Sequence, residues 1–465
     1  MSINFSPKIE PPLDPDFRPA VIANRLFLES TTISGKSQKL IIALEQTDGS
    51  VSRFETQIAA TESPLYYANF YFVERLIKFL LWSRGGYKIY VSGPDEIAAR
   101  LQEHYEKSST GKFDSNLIGN QVYDNPIVVV HTAEQDIPQA KMKTMPLGRH
   151  WDGCRVGFDL GASDRKTAAV IDGEVVFTNE TVWNPSVEKD PQYHFEGIMD
   201  SIKQAAAHLP RVDAIGGSSA GIYVNNRVKV ASLFRSVPKD LFEKRVKNLF
   251  FEIKDAFGGV PMEVANDGEV TALAGSMSLN DNAILGIAMG SSQAAGYVTP
   301  EGNITNWLNE LAFAPIDYNP KAPCDEWSGD MGCGVQYFSQ QAVRRLAKTA
   351  GIETPPGMPL PEVLRFVQGL VSKKDQCAIS IFETIGVYLG YALAHYADFY
   401  DFKHILVLGR VTTGEGGEII VKNAKKVLEA EFPELVNKIN LHLPGEKEKR
   451  HGQAVAAASL PVTTK

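Results

Sequence analysis

The stretch Val156-Gly-Phe-Asp-Leu-Gly-Ala-Ser-Asp-Arg-Lys166 gathers an acidic residue, a glycine, a hydroxyl and a lysine around one sharp turn. It is apolar into Asp159, turns on Gly161 and Ser163, and resumes with Thr167-Ala-Ala-Val-Ile171 before a second turn at Asp172-Gly173. That pattern predicts a β-hairpin. Such a turn offers backbone N–H groups and a hydroxyl to phosphate oxygens, and its carboxylate is placed for a Mg²⁺ ion or the ion's waters. Glycine and serine also populate turns for conformational reasons alone, so the reading rests on what lies downstream. There, the strand-like Pro261-Met-Glu-Val-Ala265 runs into Asn266-Asp267-Gly268 and then into the small-residue segment Glu269-Val-Thr-Ala-Leu-Ala-Gly275. Asp267 is expected at a strand end beside a helix N-terminus, where a carboxylate stays ionised. The same Asn-Asp-Gly also serves as a plain turn and helix cap.

The elements that must hold these residues follow from periodicity. From Trp151 the expected order is hairpin, third strand, helix near 193–209, strand Val212-Asp-Ala-Ile215, glycine loop Gly216-Gly-Ser-Ser-Ala-Gly221, helix near 238–257, and strand 261–265. The pattern then restarts at Ala283-Ile-Leu-Gly-Ile-Ala-Met289, with its own turn Gly290-Ser-Ser-Gln-Ala-Ala-Gly296 and a return strand. Residues 379–399 read as a long apolar helix leading to the strand His404-Ile-Leu-Val-Leu-Gly409, and a last helix starts near His451. Ahead of all this, residues 1–20 are Pro-rich and read as extended. Residues 25–58 read as an antiparallel meander that includes Leu26-Phe-Leu. Then come a helix near 65–83, a strand at 87–91, a helix opened by Gly93-Pro-Asp-Glu96 and a strand at 127–130. Two strand–turn–strand openings, each followed by helices, indicate two lobes of similar construction.

Composition excludes several function classes. Of 465 residues, 47 are Lys or Arg and 55 are Asp or Glu, giving a net charge of −8 that argues against a nucleic-acid-binding surface. The four cysteines contain no CxxC pair, and a chain this long needs no disulfide framework, so a cytoplasmic location is expected. The N-terminus shows no secretory signal, and the apolar stretch 71–82 is too short and too charged to span a bilayer, so no membrane partner is expected. That stretch reads instead as a buried amphipathic helix.

Seven motifs in order resemble the ROK group of sugar kinases and regulators, within the actin, Hsp70 and hexokinase superfamily. They are Asp159-Leu-Gly-Ala-Ser163, Ile215-Gly-Gly-Ser-Ser-Ala-Gly221, Asn266-Asp267 with the following small-residue helix, Gly290-Ser-Ser-Gln-Ala-Ala-Gly296, Asn309-Glu310-Leu-Ala-Phe313, Gly332-Cys333, and Ile405-Leu-Val-Leu-Gly409. The resemblance covers about residues 151–465. It implies an α/β, two-lobed actin-like ATPase (ribonuclease H-like) fold, with residues 1–150 as an N-terminal α/β extension, 151–268 plus 447–465 as the first lobe and 269–446 as the second. It further implies a Mg²⁺- and ATP-dependent kinase of a hexose or amino-hexose acting in an inter-lobe cleft. Asp267 would be the base, Asn266 and Glu310 would hold the sugar with it, and Asp159, Gly161, Ser163, Lys166, Gly290, Ser291, Ser292 and Gly409 would face the nucleotide and metal. A homodimer is compatible with this reading.

The chain also departs from that family. Ser292, Ala294 and Ala295 stand where the second phosphate loop usually carries glycine, which restricts close backbone approach. Phe313 replaces a histidine, and Glu326 and Ser328 replace two of three cysteines of the family's zinc site, leaving Cys333 and a shifted Cys324. Zinc needs about four convergent ligands and two cysteines do not supply them, so no protein-bound zinc is expected. Val335 replaces a sugar-binding glutamate. These losses keep a rival reading alive, a sugar or nucleotide sensor of the same fold with little or no turnover. Lys166 reads either as a phosphate contact or as a solvated strand residue, and His395 and the tyrosines at 388, 391, 396 and 400 read as packing.

Overall fold

A Pro19-bounded start and a run free of glycine and proline make Ala20–Ile33 a helix. Leu26-Phe-Leu lies inside it and is not the expected strand. Three apolar residues fit either period, and Phe27 is buried at the helical spacing set by Ala20 and Ala23. The computed structural model describes residues 6–142, 144–145, 148–443 and 446–463. They fall into two compact units: Met1–Lys143 with Ile287–Ala295 and Asn306–Leu443, and Thr144–Gly286 with Gly296–Thr305 and Pro444–Lys465. These divisions lie elsewhere than 150, 268 and 446. The N-terminal segment clusters with 306–443 in place of forming a body of its own.

In the first unit, strands Val51–Ala59, Ser37–Glu45, Lys88–Ser92 and Val128–His131 form a sheet in that order. The first two pairings are antiparallel and the last is parallel. Helix Asn69–Arg84 is buried on nearly every face, its charged residues included, so it is not the amphipathic helix expected from its sequence. Helix Gln376–Ala397 is long and apolar enough to cross a membrane, but it is a core helix, buried over most of its length. Tyr388, Tyr391 and Tyr396 are buried on it, as expected for packing residues. His395 packs edge-on against Phe79 with ring centroids 4.6 Å apart, and burial lowers its pKa to about 3.

In the second unit, five strands run in the order Met262–Asn266, Ala214–Ser219, Cys154–Leu160, Asp164–Ile171, Glu174–Val182. The first three are mutually parallel and the hairpin strands antiparallel. The segment Gly216-Gly-Ser-Ser219 belongs to a strand here, not to a loop. Its glycines are explained by packing. A Cβ on Gly216 would stand 1.7 Å from the Ala457 carbonyl oxygen, and one on Gly217 would meet the Phe158 ring at 2.3 Å. The C-terminal helix Glu446–Ala458 lies against the sheet at that point, and against Gly157 next to it. Helix and sheet approach this closely only where side chains are absent.

Candidate active site

Six of the residues selected from sequence lie in the second unit, and the register of the sheet brings several of them together. Asp159 pairs across the hairpin with Lys166, and across the parallel strand with Ser218. The Ser218 hydroxyl donates to Asp159 Oδ1 at 2.7 Å. Lys166 Nζ lies 3.7 Å from Asp159 Oδ2 and 2.9 Å from Asp164 Oδ1, so it is a half-buried cation serving two carboxylates and not a solvated strand residue. Burial raises the pKa of Asp159, and Lys166 and Ser218 oppose that rise. Within the turn, the Gly161 N–H is used internally, donating to the Asp164 carbonyl at 2.9 Å. The Ser163 hydroxyl is at the surface, 3.0 Å from Asp164 Oδ2.

The strand Met262–Asn266 ends and the helix Asp267–Leu279 begins at the expected junction. Asn266 is the helix cap: its Oδ1 accepts from the Gly268 N–H at 2.7 Å, and its Nδ2 donates to the Gly221 carbonyl at 2.6 Å. Asp267 Oδ1 accepts from the same Gly268 N–H at 2.9 Å. At neutral pH Asp267 is still ionised, but it is a stronger base than an ordinary carboxylate. Burial, and then the charge of Asp159, push its pKa up to about 6, outweighing the helix N-terminus and the Gly268 N–H. Two residues that sequence reading passed over support the junction. Tyr223 shares a 2.6 Å hydrogen bond with Ser219, and Gln453 on the C-terminal helix donates to the Asp267 carbonyl at 3.3 Å and to Thr271 Oγ1 at 2.5 Å. Gln453 lies almost 190 positions from Asp267, and no local pattern marks it.

The remaining candidates lie in the first unit. Gly290, Ser291 and Ser292 form the turn between strands Ile284–Met289 and Gln293–Val298. The Gly290 N–H donates to the Ser292 carbonyl at 2.8 Å, and the Gly290 carbonyl accepts from Gln340 N–H at 2.8 Å, which docks the turn on the start of helix Gln340–Thr349. Ser291 and Ser292 are exposed. Gly409 follows strand His404–Leu408 with φ +94°, and a Cβ there would stand 2.4 Å from the Met289 carbonyl oxygen. Only glycine allows that approach, so Gly409 and the Gly290 turn are neighbours. Glu310 is half-buried, and its N–H donates to the Trp82 carbonyl at 2.9 Å.

Among the described residues, no three or more His, Cys, Asp and Glu side chains are grouped to hold a metal ion. Phe313 sits in an aromatic cluster 4.4 Å from Trp82, and the Ser328 hydroxyl is bonded to Asp325 at 2.6 Å. Cys333 is buried, and desolvation pushes its thiol up to about 12. Asp159 and Asp267 are of a different kind. The two carboxylates interact, and the Lys166 ammonium lies against Asp159, while among the described residues no cation stands against Asp267 in that interaction; such a pair suits Mg²⁺, an ion held by one or two carboxylates and otherwise by water and phosphate.

No protein-family model and no curated protein matches the sequence. Solved structures do match. A ROK hexokinase from Thermus thermophilus superposes with a TM-score of 0.52 at 17% identity, covering 66% of this chain and 97% of that one. A ROK family glucokinase from Streptomyces griseus, in complex with glucose and AMPPNP, gives 0.50 at 18% identity, covering 66% and 99%. The chain has the ROK-type fold. A ROK family transcriptional regulator, a homologue of the E. coli Mlc protein, gives 0.52 at 19% identity, covering 66% of this chain and 78% of that one. Enzymes and a regulator thus share the ROK-type fold, which is the actin-type ATPase architecture expected from the motifs.

Proposed function

We propose that this protein phosphorylates a hexose or amino-hexose with ATP, and that Asp267 is the general base. The observation that carries this reading is the Asp267 carboxylate, raised to about 6 by burial and by Asp159 at a strand–helix junction. A base poised just below neutral pH is ionised in the cell, yet basic enough to take a hydroxyl proton as the oxygen attacks phosphorus. Asp159, oriented by Ser218, and Lys166 would hold Mg²⁺ and phosphate oxygens, with Gly161 and Ser163 shaping that turn. Bound Mg²⁺ supplies positive charge to the transferring phosphoryl group. The surface hydroxyls of Ser291 and Ser292, on the turn beside which Gly409 approaches the Met289 carbonyl, are suited to nucleotide phosphates. Asn266 and Glu310 would fix the sugar hydroxyls. Phe313 and Val335 offer no hydrogen bonds, so the site would read fewer hydroxyls than a fully polar one.

One observation favours a second reading, a sugar or nucleotide sensor. The Asn266 carboxamide is engaged at both ends by the Gly268 N–H and the Gly221 carbonyl, which leaves it one N–H for a sugar. ADP release from Mg-ATP against a panel of hexoses and N-acetylhexosamines separates the two readings. Sugar-dependent turnover that is lost in Asp267→Ala supports the kinase. Stabilisation by a sugar or ATP without turnover supports the sensor.

A further inference from the structure

We infer that the N-terminal helix Asn69–Arg84 is the positioning element for the segment carrying Glu310, with Trp82 and Lys78 as its positioning residues. The inference rests on the proposed role of Glu310 as a sugar ligand. A helix leaves its last carbonyls without intrahelical partners. Here Gly85, at φ +80°, caps the helix, and the carbonyls of Trp82 and Ser83 accept from the N–H groups of Glu310 (2.9 Å) and Asn309 (3.0 Å). Glu310 is therefore attached by its own backbone to a helix more than two hundred residues upstream.

The neighbouring residues are gripped from the same side. Asn306 Nδ2 donates to Gln46 Oε1 and to Ser50 Oγ, both at 2.9 Å, while Gln46 Nε2 donates to the Arg84 carbonyl at 2.8 Å and the Asn306 carbonyl at 3.1 Å. The Arg84 guanidinium stacks 3.4 Å from the Trp307 ring centroid. Asn309 is held at φ +51°, a left-handed conformation, and its Oδ1 accepts from the Tyr400 hydroxyl at 3.0 Å. Beyond Glu310, Phe313 packs on the Trp82 ring.

Behind the helix end lies a buried ionic network. The Lys78 ammonium, 1% exposed, sits 3.1 Å from Asp114 and 2.8 Å from Asp330. Arg75 adds a 3.0 Å contact to Asp330, and Trp82 Nε1 donates to Asp114 Oδ1 at 3.0 Å. One helix thus fixes Asp330 through its cations and Glu310 through its carbonyls, and Trp82 belongs to both sets of contacts. A buried pair of this kind adds little net stability, but it fixes geometry, because a misplaced partner leaves an uncompensated charge.

The test uses the full chain with Trp82→Phe, which keeps an aromatic ring on Phe313 and removes the indole donor to Asp114, and Lys78→Met as the stronger perturbation. Amide hydrogen exchange at Asn309 and Glu310 should accelerate about tenfold or more in both, and the sugar KM should rise about tenfold while the ATP KM and kcat stay within about twofold. General destabilisation would lower the active fraction and the apparent kcat with the sugar KM unchanged, and that pattern would overturn the inference. Unchanged exchange at both amides would also overturn it. Glu310→Gln keeps the two readings apart. If it raises the sugar KM and Trp82→Phe does not, the positioning role falls alone. If Glu310→Gln leaves the sugar KM unchanged, the ligand role falls, and with it the reading on which this inference rests.

Discussion

Replacing Asp267 with Asn should make the protein more stable at neutral pH while removing its chemistry. The carboxylate's pKa is raised from 3.8 to about 6 in the folded state, so its ionised form is disfavoured there relative to the unfolded chain. A group with a raised folded pKa stabilises most below its unfolded pKa and loses that contribution as pH climbs through the folded value. Asn imitates the protonated acid at every pH. The difference between variant and wild type should therefore be near zero below pH 3.8, about 1.6 kcal/mol at pH 5, and should level off near 3 kcal/mol above pH 7. That last figure is a ceiling, because Asp267 is half-buried and water screens part of the cost.

Denaturant unfolding from pH 4 to 8 is the assay, followed by tryptophan emission, since the second unit contains Trp151 and the buried Trp183. Turnover should fall by roughly 10²–10⁴ in the same variant, the usual contribution of a positioned base. A variant less stable than wild type at pH 7.5, or an offset that does not shrink toward pH 4, would show that burial does not dominate at Asp267. Retained turnover would end its assignment as base.

Three further outcomes follow from the geometry. In wild type, kcat/KM for the sugar should drop tenfold per pH unit below about 6 as Asp267 protonates, with a flat limb above; a profile unchanged down to pH 5 contradicts the raised carboxylate. Gly409→Ala forces a Cβ into φ +94° backbone 2.4 Å from the Met289 carbonyl, and should cost about 1–3 kcal/mol of stability and raise the ATP KM, both read from one preparation by thermal unfolding and coupled assay. Gly216→Ala drives a methyl to 1.7 Å from the Ala457 carbonyl, a backbone atom that cannot swing aside; a loss of about 3 kcal/mol or failure to fold is expected, and soluble protein of wild-type stability would refute the close-packing account.

Local order was legible wherever a period and its punctuation coincide. The hairpin 154–171 was written in apolar runs broken by Gly161 and Ser163, and the Asn266-Asp267 junction in a strand that stops at a helix cap. The strand 404–408 closed by Gly409, and the packing roles of His395 and the Gln376–Ala397 tyrosines, were equally plain. The motif order also carried the fold. Each of these depends on neighbours within one or two turns of chain.

What the sequence left undecided depends on residues that meet only after folding. Gly216 and Gly217 look like part of a glycine loop, and are strand residues whose missing side chains make room for a helix some 240 positions later and for the Phe158 ring. Lys166 reads as a phosphate contact or as a solvated residue, and its pairing with Asp159 shows only once the cross-strand register is known. The protonation of Asp267 is set by burial and by a carboxylate on another strand, neither of which is a local property. Arg75 and Lys78 look like the wet face of an amphipathic helix. Arg75 is neutralised by its neighbour Glu74 and by Asp330, and Lys78 by Asp114 and Asp330, which come from outside the helix. Periodicity predicts which face of a helix is apolar, but a charge can be buried only when its partner is present, and only the tertiary structure supplies the partner.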